Sequence, residues 1–243
     1  MKFCLSSRQE PSYLQKADEI KVEWRDRNII YDFSQTYPDK TFVLRLPREE
    51  SINWVEVSRF ITVSQDHLLA QAATVQQMEK LKELSCPFYF GYAIGSFYEI
   101  NTLKSLGVCG LRVAPPAFFE MDKIGLPVRL IPNATHDGFL PNDPIPGTWI
   151  RPEDLHLYEP YNPTIEFEGE SLERERALYR IYAEQKAWPG SLNLLFSNFS
   201  LGTTNRLIPS ILTEKRLNCG QRCQSGGSCR LCYRAIEMAP PVH

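Results

Sequence analysis

The feature that most constrains this chain is an alternation. Short runs with strand character recur at 19–24, 41–46, 67–70, 88–92, 110–114, 127–132, 148–151 and 164–168, and helical stretches separate several of them. Strands that alternate with helices make an α/β fold with a parallel sheet. Eight strands in this length fit a small (βα)8 TIM-like barrel better than an open doubly wound sheet, which would show fewer strands and longer helices. The connections after Pro132 and Arg151 are too short or too proline-rich for full helices, so the barrel is expected to be irregular on that side.

Three helices have clear signals. Thr74-Val-Gln-Gln77 is a capping box followed by Val75, Met78, Leu81 and Leu84 at helical spacing, stopped before Pro87. Ser96-Phe-Tyr-Glu99 is a second box, followed by Ile100, Leu103 and Leu106 and ended at Gly107. The longest helix is predicted over 172–186, with Leu178, Ile181 and Tyr182 as its apolar stripe and Pro189-Gly190 as its stop. These stripes are core-facing and carry no function. The barrel is expected to span 1–200, with 192–199 extending it or leading out of it, and 201–243 to form a C-terminal extension.

That extension holds Asn218-Cys219-Gly-Gln-Arg-Cys223-Gln-Ser-Gly-Gly-Ser-Cys229-Arg-Leu-Cys232-Tyr233, four of the seven cysteines. A C-x3-C-x5-C-x2-C spacing with glycines in the middle lets four thiolates converge on one metal centre, so Cys219, Cys223, Cys229 and Cys232 are the expected metal ligands. Zinc and an iron–sulfur cluster both accept four thiolates, and spacing does not choose between them. Paired disulfides would need an oxidising compartment, and the start Met-Lys-Phe-Cys-Leu-Ser-Ser-Arg has no apolar signal region. The other cysteines, Cys4, Cys86 and Cys109, read as buried apolar thiols.

Hydrophobic residues at 43% and charged residues at 23% suit one substantial core, and a formal net charge of -2 argues against a general nucleic-acid surface. Lys215, Arg216, Arg222, Arg230 and Arg234 surround the cysteines, where cations would lower thiol pKa values. With no stretch approaching the ~20 apolar residues of a membrane span, a soluble, cytoplasmic protein with reduced cysteines is expected.

In a barrel of this kind chemistry belongs at the carboxyl ends of the strands. Arg45, Arg112, Arg129 and Arg151 each sit in an apolar strand pattern, which sends them to the opposite face from their neighbours. Arginines pointing inward need carboxylates, and Glu166 and Glu168 share one strand face. With Tyr92 and Asn133 these make the expected substrate-binding set, read either as a site for an anionic substrate or as ion pairs holding the barrel together. Glu23, Ser96 and Asn198 also fall near strand ends, and His136 lies in a loop after a strand. No phosphate-binding loop, dinucleotide fingerprint, nucleophile elbow or H-E-x-x-H occurs, so hydrolysis and nucleotide chemistry have no direct support.

Two segments together resemble the collagenase-like peptidase family U-thirty-two, including its iron–sulfur, hydroxylation-related members. One is Ile150-Arg-Pro-Glu-Asp-Leu-His-Leu-Tyr-Glu-Pro-Tyr161, then Thr164-Ile-Glu-Phe-Glu-Gly169 and a helix with Leu178-Tyr179-Arg180; the other is the cysteine tail. The chain departs from that family at Glu168-Gly169-Glu170, where a lysine and an arginine usually flank the glycine, and it lacks the peptidase signature. The resemblance implies a [4Fe–4S] cluster on the four tail cysteines and redox or hydroxylation chemistry on a small-molecule or macromolecular substrate. The alternative is a binding or assembly protein whose tail holds structural zinc and whose Phe118, Phe119 and Phe139 contact a protein partner. Peptidase activity is a weaker third reading.

Overall fold

The computed structural model describes residues 1–48, 52–64, 67–92, 98–113, 125–132, 150–167 and 171–184. Eight parallel strands run β1 Lys2–Ser6, β2 Glu19–Glu23, β3 Thr41–Arg45, β4 Leu68–Ala72, β5 Phe88–Phe90, β6 Leu111–Val113, β7 Val128–Leu130 and β8 Thr164–Glu166. Their order in the sheet is β5-β4-β3-β2-β1-β8-β7-β6. A parallel bridge between Tyr89 and Gly110, with the Cys109 N–H donating to the Phe88 carbonyl at 2.8 Å, joins β5 to β6 and closes the ring. The fold is a TIM-like (βα)8 barrel.

Between the strands lie α1 Pro11–Leu14, α2 Ile29–Thr36, α3 Trp54–Ser64, α4 Val75–Glu83, α5 Tyr98–Leu106 and α6 Leu172–Glu184, with 3-10 turns at Trp24–Asp26 and Pro152–Tyr161. α4 starts where its capping residues place it: the Thr74 hydroxyl accepts from the Gln77 N–H, and the Gln77 side chain accepts from the Ala73 N–H at 2.7 Å. Gln77 Nε2 also donates to the Pro47 carbonyl at 2.7 Å, tying this helix to the loop after β3. On the far side, Glu175 of α6 is buried; it accepts from the Ser6 N–H and from Gln9 Nε2 at 2.8 Å, fastening the last helix to the first strand.

Two corrections to the strand expectations share a cause. Lys2–Ser6 is a strand, although Lys-Phe-Cys-Leu-Ser carries little strand propensity; its β character comes from pairing with β2 on one side and β8 on the other. β7 has β6 and β8 as its neighbours on its two edges, so the described end of the expected 148–151 strand joins no sheet edge there. Of that stretch, Ile150 and Arg151 are described; the Ile150 N–H bonds the Pro132 carbonyl at 2.8 Å and the chain turns at once into the 3-10 segment.

Strand alternation divides the core in two. Leu5, Ile20, Val22, Phe42, Leu44, Ala70, Leu111, Leu130 and Ile165 face the helices and form the main hydrophobic cluster. The intervening residues face the lumen. There the apolar content is small, Cys4, Val43 and Tyr89 with Leu69 against them, and the remaining space is filled by charge. Among the described residues no helix is long and apolar enough to cross a membrane.

Candidate functional site

β2 reads Glu19-Ile20-Lys21-Val22-Glu23, with its apolar residues on the helix side and its charged residues in the lumen. A strand of a closed parallel barrel is covered on both faces and ordinarily reads as a nearly continuous apolar run. Alternating charge in such a strand is the signal of a polar lumen.

At the centre is Glu166, whose side chain is fully buried. Lys21 Nζ lies 3.3 Å from Oε1, Arg112 Nε lies 3.2 Å from Oε2, and a terminal nitrogen of Arg129 lies 3.9 Å from Oε2. Arg129 also donates to Glu19, packs over the Tyr89 ring at 4.2 Å from its centroid, and stands opposite Thr164, whose hydroxyl donates to Glu19 at 3.3 Å. Arg112 reaches the other way and donates to the Gly91 carbonyl just beyond the end of β5. Among the described residues the lumen thus holds Lys21, Arg112 and Arg129 against Glu19 and Glu166.

Burial acts to raise the Glu166 pKa, but the fields of Arg112, Lys21 and Arg129 outweigh it and hold the carboxyl at about 2. Burial likewise works against the Lys21 ammonium, and Glu166 keeps it protonated with its pKa above the ordinary value. Cys4 is pushed up by burial and by the nearby Glu166 and Glu19 carboxylates, and burial lifts Cys86 to about 12. Cys109 moves in the same direction, for the same first reason. These three thiols are unpaired with one another and stay neutral, so none supplies a thiolate.

Above this network, at the carboxyl ends of β2 to β5, opens a cavity of about 410 Å³. Its walls include Glu23, Arg25, Arg45, Arg48, Gln71 and Tyr92. Arg45 approaches Glu23 at 3.4 Å with both side chains partly exposed, and Arg48 lies over the Tyr92 ring at 5.3 Å. Three arginines and one carboxylate are among the residues that line this mouth, and Arg25 also lies 3.9 Å from Asp26.

Of the residues singled out from the sequence, Arg112, Arg129 and Glu166 meet in the lumen, and Arg45 and Tyr92 stand at the mouth. Arg151 is elsewhere: Asp154 holds it with a two-pronged contact at 2.5 and 2.6 Å inside the 3-10 segment, with Glu153 at 3.5 Å. Asn133, Glu168, Ser96, His136, Asn198, Cys219, Cys223, Cys229 and Cys232 lie outside the described residues, as do Phe118, Phe119 and Phe139. Lys21, Glu19, Gln71 and Arg48 were not anticipated. For the first two the charge alternation in β2 was the available signal; Gln71 and Arg48 had none.

No protein-family model and no curated protein matches the chain. Similar solved structures include the phosphoribosyl anthranilate isomerase of Thermus thermophilus, at 13% identity and a TM-score of 0.48 over 76% of this chain and 100% of that one. A 3-hexulose-6-phosphate synthase gives 10% identity and a TM-score of 0.46 over 77% and 100%. The orotidine 5'-phosphate decarboxylase of Thermotoga maritima gives 14% and 0.45 over 76% and 96%. Likeness at this level extends to the barrel and no further.

The peptidase resemblance is withdrawn: no family model matches the chain, so its short motifs have no family behind them. Its Ile150–Tyr161 motif is explained locally, as a 3-10 turn closed by the Arg151–Asp154 pair. The iron–sulfur redox reading depended on that resemblance and falls with it. The [4Fe–4S] and zinc cofactors and the assembly and peptidase alternatives are withdrawn on the same findings. Among the described residues no group of three or more His, Cys, Asp or Glu side chains is placed to hold a metal ion.

Proposed function

We propose that the protein is an enzyme that takes a small anionic substrate at the carboxyl-end mouth of its barrel, with Arg45 and Arg48 as anion-binding groups and Tyr92 as a wall. The observation that carries this reading is the cavity of about 410 Å³ whose lining includes Arg25, Arg45 and Arg48 and the single carboxylate of Glu23. That volume falls in the range of small-molecule sites, and the carboxyl-end face is where barrels of this architecture place their chemistry. Arg48 rests on an aromatic ring, which leaves its five donors available to a ligand. Among the described residues the lumen beneath sets Lys21, Arg112 and Arg129 against Glu19 and Glu166, and the field of these cations favours an anion above them. Preorganised arginines of this kind stabilise negative charge that develops on a substrate oxygen during reaction.

The test is calorimetric titration with inorganic phosphate at fixed ionic strength, on the native chain and on Arg45→Ala/Arg48→Ala. A charge-assisted hydrogen bond contributes about 1.5–3 kcal/mol, so the double variant should bind at least about tenfold more weakly. Raising salt should weaken native binding, because the mouth is exposed. Equal affinity in the two proteins, or no anion binding by either, refutes the reading.

A further inference from the structure

Beside Arg45, across the β3–β4 pairing, stands Gln71. The residue is 4% exposed and forms part of the cavity wall. Its Nε2 donates to the Gly91 carbonyl at 3.3 Å, while its Oε1 is buried with no hydrogen-bond partner among the described residues. The amide orientation is fixed by its surroundings. Exchanging nitrogen and oxygen would set Oε1 against the Gly91 carbonyl oxygen, which already accepts from Arg112, and two acceptors would face each other.

A buried amide oxygen without a donor is unfavourable, and in a residue that lines a cavity it is an acceptor whose missing donor a ligand can supply. Residue 91 keeps the place tight: a Cβ there would come to 3.0 Å from the Ala72 carbonyl oxygen and 3.1 Å from Gln71 Nε2, displacing the amide. Glycine at 91 therefore preserves the Gln71 pose. The parallel register sets Gln71 and Arg45 side by side on the same sheet face, so one small molecule can meet both.

We propose that Gln71 is a specificity-determining residue whose Oε1 accepts a hydrogen bond from a hydroxyl of the bound anion, which makes the ligand class a hydroxylated anion. This rests on the anion-binding reading of the mouth. The hydroxyl donates to Oε1, the amide keeps its own bond to Gly91, and the anionic group lies against Arg45 and Arg48.

The experiment compares glycerol 3-phosphate with propyl phosphate, which share charge and a three-carbon skeleton and differ by two hydroxyls. Titrated into the native chain, glycerol 3-phosphate should bind about tenfold more tightly, the effect of one hydrogen bond to an otherwise unfilled acceptor. Gln71→Met, of similar shape but without the acceptor, should bring the two affinities together. Equal affinities in the native chain, or a preference that survives in Gln71→Met, overturns the proposal while leaving the anion reading in place. Binding of neither phosphate overturns both.

Discussion

Replacing Glu166 by Gln tests the electrostatic account of the lumen most directly. The change keeps the shape of the side chain and removes the buried carboxylate that Lys21, Arg112 and Arg129 share. A carboxyl held at about 2 in the folded chain, against an ordinary 4.5, corresponds to about 3 kcal/mol of native-state stability at neutral pH. Removing one partner of a buried ion pair costs a similar ~3–5 kcal/mol. For a chain of this size, 3 kcal/mol lowers the thermal midpoint by about 6–12 °C. Because the folded pKa is depressed, this stabilisation is fully present above the unfolded value of 4.5 and is lost as pH falls towards 2. The gap between native chain and variant should therefore be about 3 kcal/mol at pH 7 and should narrow steadily below 4.5. Urea denaturation followed by tryptophan fluorescence, at fixed ionic strength across that pH range, measures it. A gap under about 1 kcal/mol at pH 7, the scale of an exposed ion pair, would refute the reasoning. So would a gap of constant size at every pH.

Asp154→Asn should destabilise the chain by about 3 kcal/mol, since it strips the buried Arg151 of its two-pronged partner; phosphate affinity should stay native, because that pair lies outside the mouth. Thr74→Ala removes the acceptor for the Gln77 N–H at the start of α4 and should cost about 1 kcal/mol, seen as a drop of about 2–4 °C in the thermal midpoint.

The location of α4 was legible in the chain because a helix start is a local event, decided by Thr74 and Gln77 three residues apart. The strands at 19–24 and 41–46 were legible for the same reason, since alternation needs only neighbours. The run at 148–151 resembled them equally well, yet its described residues, Ile150 and Arg151, belong to no strand, because propensity competes with the supply of unpaired edges and β7 pairs directly with β8. The lumen arginines were visible as Arg112 and Arg129, but their partners were not. Glu19 and Arg129 lie 110 residues apart, and Lys21 and Glu166 lie 145 apart.

The sequence by itself determined the repeating strand-and-helix grammar, and with it the barrel, because turns, caps and side-chain periodicity act over a few bonds. Only the tertiary structure decided which charges face one another. Closing the ring turns one face of every strand into a shared enclosed space, where low dielectric makes each cation require its carboxylate. It also left Gln71 beside Arg45 at the open end, a juxtaposition created by the β3–β4 register across 25 intervening positions and not by any feature of the chain between them.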